Sequence, residues 1–520
     1  MTNPERIPRV NLLAAVLSGL MLTASFPPGS TDWLAWIALV PLLAAMQARP
    51  PSHCFRLGFV AGLTHFLSLM YWIVVVLGSY GGLNIFLSLI VLIALCSYLA
   101  LYPGVFGLLH SFLRGARLRL LLSAAAWVGL EYLRGRLLTG LPWCFLGHSQ
   151  AAHIQLIQIC DLVGVYGVGY LVAAVNLLVF HIVFERRTGG RRAFAVQGGV
   201  VAALIALTLG YGHLATREPA PGTAFSAPVR TAVIQGNIDQ SRKWLPEHQE
   251  KTLDTYRRLS LQAAGQEPGL IVWPETAVPF FFQDPSHLSA GVLAVPEATE
   301  ADLLFGSPAY EGSGRRTQYA NRAYLLSAED RRVERYDKVH LVPFGEYVPL
   351  QRFLPFVHRL VPAAGDFSPG DRVEPLDAPG YSAGVLICYE AIFPELARRQ
   401  VMEGADLLVN LTNDAWFGPT SAPFQHLAMS VFRTVETRRP LVRAANTGIS
   451  AFVDTRGRVT TKSGLFQEAV LLSEVRPSRI PPPLYARWGD VFPLFLLALV
   501  FVKLVIFGNR RRSRKQWTRP

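Results

Sequence analysis

The sequence predicts a multi-span α-helical membrane bundle of about eight transmembrane helices joined to a large extracytoplasmic α/β domain. Three observations predict it. Of 520 residues, 51% are hydrophobic and only 16% charged, where an ordinary soluble protein carries about a quarter charged residues. Apolar runs long enough to cross about 30 Å of hydrocarbon crowd the first 215 residues and recur once near the C-terminus. The formal charge of +13 is also unevenly spread: residues 217–490 hold 29 Lys and Arg against 31 Asp and Glu, whereas the flanks hold 20 against 5. A nucleic-acid binder places its basic patch on a soluble domain, so that class is disfavoured, and the low charge with a mean hydropathy of +0.30 excludes a disordered chain.

Taken in order, candidate spans lie near 11–27, 33–48, 55–78, 83–113, 118–138, 161–184, 193–215 and 491–508. Pro27, Pro28 and Pro41 interrupt the first two. Lys and Arg gather in cytoplasmic loops, which tests the count. Arg6 and Arg9 precede span one, Arg49 and Arg56 separate two from three, and Arg114, Arg117 and Arg119 separate four from five. Arg186, Arg187, Arg191 and Arg192 separate six from seven, and a basic tail from Arg510 follows span eight. The alternate loops near 28–32, 79–82 and 139–160 contain neither Lys nor Arg. Eight spans with both termini cytoplasmic satisfy this pattern and place the large domain outside the cytoplasm. The expected division is 1–215 for the membrane domain, 216–490 for the extracytoplasmic domain, 491–508 for the last span and 509–520 for the tail. A cleaved signal peptide is the alternative for the first run, but no small-residue cleavage site precedes Pro27. A transporter places ionisable groups at midplane. Here Glu131, Arg134 and Arg136 in span five are few, the first two at i, i+3 spacing where they can neutralise each other.

Between 229 and 475, β-rich apolar runs at Val229 to Ile234, Leu270 to Trp273, Leu303 to Phe305, Ala383 to Ile387, Leu407 to Leu411 and Leu441 to Ala444 alternate with helical patterns near 246–265, 393–403 and 423–438. This alternation predicts an α/β domain with a buried sheet. Of five cysteines, Cys388 alone lies in this domain. A lone thiol in an oxidising compartment is either a buried hydrophobe or a reactive group. Its place after Ala383 to Ile387 and before a helix puts it on a strand-to-helix turn, where a nucleophile is held rigidly. With an ordinary thiol value of about 8.5, it needs a base. Glu275 ends the run Leu270, Ile271, Val272, Trp273, Pro274. Lys338 stands in the stretch from Tyr336 through Glu346, before the Pro343 to Gly345 turn. Read singly, Glu275 is a strand-end carboxylate and Lys338 a solvated charge; with Cys388 they form a set.

The motifs around Glu275, Lys338 and Cys388, in that order, resemble the carbon-nitrogen hydrolase, or nitrilase, superfamily over about residues 229–475. Fusion to eight spans resembles its apolipoprotein N-acyltransferase branch. Further matches are Gln235, Gly236 and Asn237 with Lys243 and Trp244, the stretch from His340 through Val348, and Thr139 to Trp143. The resemblance implies a nitrilase-like αββα sandwich in the bacterial inner membrane, with the catalytic domain periplasmic. It implies a two-step transfer of an acyl chain from a phospholipid, phosphatidylethanolamine, to the amino group of a diacylglyceryl-cysteine that begins an apolipoprotein.

On this reading Glu275 is the base, Cys388 the nucleophile that forms a thioester, and Lys338 the charge facing the oxyanion with the Tyr389 N–H. Glu346 holds Lys338, and Tyr389 and Glu390 buttress the nucleophile turn. Candidates for an acyl-chain entrance or lid are Trp244, Phe280, Phe281, Phe282, Phe344, the segment Phe353 to Pro362, and Trp416 with Phe417. Three successive Phe residues are not expected to point inward together. A membrane-tethered amidase hydrolysing a small amide shares the same triad and is the alternative; a non-catalytic lipoprotein receptor is disfavoured by it. The twelve His include no H-E-x-x-H, and no C-x-x-C or nucleotide loop appears, so neither metal nor cofactor is expected.

Overall fold

The computed structural model describes residues 7–185, 191–217, 225–347 and 367–516. Two compact units emerge, Met1–Tyr71 with Leu89–Thr216 and Trp488–Pro520, and Trp72–Ser88 with Arg217–Arg487.

In the membrane part, Ile85–Leu113, Val165–Phe184 and Phe194–Ala215 are each long and apolar enough to cross a bilayer. Pro51–Leu69 passes only when joined to Trp72–Tyr80 across a break, and Arg9–Ala24, Asp32–Met46 and Val491–Ile506 are shorter apolar helices. The run at 33–48 is not one α-helix: a 3-10 turn at Asp32–Trp36 precedes Val40–Met46, with Pro41 in the first turn, where its missing N–H costs nothing. The run at 118–138 ends as a helix at Arg134.

Glu131 and Arg134 do more than offset each other. Arg134 donates to the carbonyls of Leu141 at 3.0 Å and Trp143 at 2.9 Å and lies over the Phe66 and Phe145 rings. Glu131 accepts the Leu146 N–H at 2.7 Å. Arg134 thus fastens the Thr139 to Trp143 stretch and Glu131 the Leu146 turn after it, by satisfying backbone groups that an apolar surrounding would leave costly.

Among the described residues the second unit contains twelve strands: β1 (Val229–Gln235), β2 (Leu270–Val272), β3 (Asp302–Glu311), β4 (Gln318–Leu326), β5 (Val333–Asp337), β6 (Leu376–Ala378), β7 (Tyr381–Ile387), β8 (Leu407–Thr412), β9 (Leu441–Ala445), β10 (Ala451–Val453), β11 (Val459–Lys462) and β12 (Ala469–Val475). They form two six-stranded sheets, ordered β12-β1-β2-β3-β4-β5 and β11-β10-β9-β8-β7-β6. The centre of each is parallel, β1-β2-β3 and β7-β8-β9.

Side chains alternate across a strand, and the sequence uses both faces. Val233, Leu270, Val272 and Leu304 face Val385, Ile387, Val409 and Val442 in a core between the sheets. Their neighbours Ala232, Ile234, Ile271, Trp273 and Leu303 pack instead on helices Pro246–Ala264 and His287–Thr299. Helices Pro394–Met402 and Ala422–Thr437 cover the second sheet. The result is a layered α-β-β-α sandwich.

The excursion Trp72–Ser88, expected as the end of span three, the loop after it and the start of span four, belongs to this unit rather than to the membrane one. Aromatic contacts explain why. Trp72 meets Phe417 edge-on with centroids 5.0 Å apart, and Tyr80 meets Trp416 at 5.4 Å.

Candidate active site

Parallel sheets gather functional groups at the carboxyl ends of their strands, and this domain does so from both sheets. Glu275 lies three residues beyond β2, Lys338 directly follows β5, and Cys388 directly follows β7. Thr276 and Cys388 both have left-handed backbone, φ 48° and 52°. Such values are uncommon for residues with a Cβ and mark backbone held by its surroundings. Gly306 on β3 permits the Glu275 turn, since a Cβ there would fall 2.5 Å from the Thr276 nitrogen.

Glu275 and Lys338, both buried, form one cluster with the part-buried Glu346. Lys338 Nζ lies 2.9 Å from Glu346 Oε1 and 3.5 Å from Glu275 Oε1. Asn321 Nδ2 donates to the same two oxygens, at 2.8 Å to Glu275 and 3.0 Å to Glu346. The Asn413 N–H donates to Glu275 Oε2 at 2.9 Å, and the Val342 N–H to Glu346 Oε2 at 2.8 Å. Burial alone would depress the Lys338 ammonium, but Glu346 and Glu275 outweigh it and hold it above its ordinary value. Lys338 is therefore a fixed cation.

Cys388 shares that field. Burial and the Glu275 carboxylate push its thiol well above the ordinary range, against the pull of Lys338. The resting group is accordingly a protonated thiol beside a carboxylate, the state that general-base attack requires.

Lys243 brings a second amine. It is fully buried and donates to Thr276 Oγ1 at 2.6 Å and to the Glu275 carbonyl at 3.2 Å, clasping the turn that carries Glu275. Burial brings its ammonium down to about 7, against Glu275 and Cys388.

Glu390 ties the turns together. Its Oε1 accepts the Val339 N–H at 2.7 Å, the His340 N–H at 3.0 Å and the Tyr336 hydroxyl at 3.0 Å, and its Oε2 accepts the Ile387 N–H at 2.7 Å. One side chain thus joins the turn after Lys338 to the end of β7, just before Cys388. Tyr389 packs edge-on against Phe393 at 4.9 Å, beside His340.

The apolar candidates separate. Trp244 and Phe344 are each 44% exposed, and Trp416 and Phe417 are half-buried against Tyr80 and Trp72. Phe281 packs on Tyr310 and Tyr319. Phe282 is a core residue, wedged edge-on against Phe305 and Tyr324 at 5.0 Å each, and Phe280 packs on the same cluster. Two of the three rings therefore serve the core, which corrects Phe280 and Phe282 as lid residues. The segment Phe353 to Pro362 lies outside the described residues. Sequence reasoning missed Asn321 and Asn413, although Asn413 and Asp414 beside Trp416 form a polar break at a strand end. Among the described residues no group of His, Cys, Asp or Glu could hold a metal ion.

A carboxylate, lysine and cysteine gathered at strand ends of a two-sheet sandwich place the domain in the carbon-nitrogen hydrolase class, and a family model described as carbon-nitrogen hydrolase matches residues 230–482. The family model of the apolipoprotein N-acyltransferase N-terminal domain matches residues 18–178. Among curated relatives, "Apolipoprotein N-acyltransferase" of Geobacter metallireducens is 46% identical over 519 residues, 99% of each chain. Proteins of the same name from Methylococcus capsulatus and Gloeobacter violaceus are 36% and 35% identical, covering 96% and 97% of this chain and 97% and 96% of their own. The chain belongs to the apolipoprotein N-acyltransferase family, and it is an acyltransferase with a membrane part.

Proposed function

We propose that the chain moves an acyl group from a phospholipid to the amino terminus of a diacylglyceryl-cysteine apolipoprotein, through a thioester on Cys388. In the first step Glu275 takes the thiol proton as sulfur attacks the ester carbonyl. The tetrahedral oxyanion is met by Lys338, the ester C–O bond breaks, and the proton passes to the departing lysophospholipid oxygen. In the second step the amine attacks the thioester, Glu275 accepts its proton, and the C–S bond breaks to return the thiol as the amide forms. Cys388, Glu275 and Lys338 are the catalytic residues of this reading, with Glu346, Tyr389 and Glu390 supporting. Trp244, Phe344, Trp416 and Phe417 are the side chains offered to acyl chains.

The observation that carries the reading is the Glu275–Lys338–Glu346 cluster in one field with Cys388, in a chain alignable over its whole length with N-acyltransferases. The amidase alternative leaves the matched N-terminal domain unexplained. Mass spectrometry of the full-length enzyme after incubation with phosphatidylethanolamine is expected to show an acyl increment on Cys388 that disappears when a diacylglyceryl peptide is added. No increment, or one that persists in Cys388→Ala, overturns the thioester; release by water as fast as by peptide returns the amidase.

The eight-span arrangement in the inner membrane, with cytoplasmic termini and a periplasmic catalytic domain, rests on the alternation of Arg-rich and Arg-free loops. One labelling experiment checks both orientation and thiol state. In spheroplasts a membrane-impermeant alkylating agent is expected to modify Cys388, at a rate that climbs with pH from about 7 to 9. The sign follows from the thiol standing above its ordinary value. Modification only by a permeant analogue contradicts the orientation, and a flat profile contradicts the resting thiol.

A further inference from the structure

Behind the nucleophile lies a buried ionic network that the proposed chemistry does not use. His426, on helix Ala422–Thr437, is 1% exposed, and its Nε2 lies 3.1 Å from the carbonyl oxygen of Cys388. A carbonyl oxygen can only accept, so Nε2 carries the proton. The other ring nitrogen, Nδ1, sits 3.1 Å from Asp414 Oδ1 and 3.1 Å from Arg443 Nη2. Arg443 Nη2 in turn donates to Asp414 Oδ2 at 2.7 Å, and Arg443 also donates to Asn410 and to the Ile449 carbonyl at 3.2 Å. Thr412 donates to Asp414 Oδ1 at 2.9 Å. Arg443 is 0% and Asp414 1% exposed. Burial alone would raise the Asp414 carboxyl; Arg443 and His426 hold it below its ordinary range.

So many polar atoms in a dry layer are costly unless each has a partner. What they fix is the carbonyl of a residue in left-handed conformation, φ 52°, whose backbone orientation sets where Sγ points. Asp414 also begins the Asp414–Phe417 turn. The Phe417 ring stands edge-on to His426 at 6.3 Å and carries Trp72 on its other contact. The nucleophile's backbone is thereby joined to the aromatic segment offered to acyl chains.

We propose that His426 is a positioning residue for acyl transfer, holding the Cys388 carbonyl through Nε2 and coupling the nucleophile turn to the Asp414–Phe417 segment, with Arg443 donating to its Nδ1 and Asp414 holding Arg443 in place. The inference rests on Cys388 being the acylated residue.

The test is the length of the side chain that can reach the carbonyl. In the full-length enzyme, His426→Gln places an amide N–H near the position of Nε2, while His426→Asn reaches only the position of Nδ1. With phosphatidylethanolamine as donor, the rate of acyl increment on Cys388 is expected to fall roughly 10²-fold in His426→Asn, the scale of a nucleophile displaced by about 1 Å. In His426→Gln it is expected to stay within about tenfold of wild type, no more than the net worth of one hydrogen bond. KM for the phospholipid is expected to stay within about twofold in both, because neither variant removes a group that touches the donor. A purely structural role would lower the thermal midpoint of both variants together and leave their rates alike. Equal rates for Asn and Gln, or a loss confined to KM, overturn the proposal. Absence of any adduct in the wild-type enzyme would instead fell the reading beneath it, so the two failures are distinguishable.

Discussion

Replacing Lys338 by methionine is expected to slow thioester formation on Cys388 by about 10³-fold, the upper part of the range for removing one preorganised donor to a developing oxyanion. The side chain is 1% exposed, so methionine fills nearly the same volume and the lost quantity is charge. A further consequence follows from geometry. Glu275 and Glu346 remain, both held by Asn321 Nδ2, without the cation that lay between them. Breaking a buried pair from one side destabilises by about 3–5 kcal/mol, which thermal unfolding in detergent would register. Quenched-flow intact-mass measurement reads the first step alone; a rate within tenfold of wild type would remove Lys338 from the oxyanion. Lys338→Arg is not expected to rescue, since a guanidinium does not fit a site this enclosed.

The parts of this site that the sequence displays are those lying where strands end. β2, β7 and β8 are buried on both faces and read as apolar runs, so Glu275 and Cys388 stand out as the first functional groups after them. β4 does not read that way. Its buried stretch is interrupted by Asn321 and Arg322, polar residues that periodicity counts against a strand. Asn321 bridges Glu275 and Glu346, and Arg322 braces Asp337, the residue before Lys338, at 2.6 and 2.8 Å. The strand was hidden by the residues the site requires of it. β11 is a polar edge, largely exposed over Val459–Lys462, and although it forms a hairpin with the neighbouring β10, it lacks the apolar alternation by which a strand is read. His426 and Arg443 were illegible for a related reason: a histidine and an arginine on an apolar helix and strand gain meaning only when Asp414 is brought between them. In the membrane part, hydropathy locates the apolar runs but not their breaks. The Trp72–Ser88 excursion is set by two aromatic contacts with residues more than 300 positions away, which no local window contains.

Glu390→Gln is expected to impair both stability and the first step, with a pH signature that identifies the cause. The glutamine carbonyl can take the three donors now on Oε1, from Val339, His340 and Tyr336. Its NH₂ then faces the Ile387 N–H, which at present donates to Oε2, and two donors meet with no acceptor between them. An unsatisfied buried donor costs about 1–3 kcal/mol. The affected bond is the one that fixes the residue before Cys388, so acylation is expected to fall roughly 10²-fold by displacement of Sγ. The signature comes from titration. Burial lifts the Glu390 carboxyl to about 7, against the backbone N–H groups of Ile387, His340 and Val339 and the charge of Lys338. A carboxyl whose folded value is raised binds its proton more tightly in the native state, so its contribution is fully present below the unfolded value near 4.5 and is lost as pH rises through about 7. That window spans on the order of 3 kcal/mol. Wild-type unfolding measured between pH 4.5 and 7.5 should therefore contain a component that weakens as pH rises, and Glu390→Gln should lack it while remaining less stable at the acid end. A variant whose stability follows the wild-type pH curve in parallel would mean that Glu390 is ionised throughout, and that its four donors, rather than its burial, set the charge behind the nucleophile.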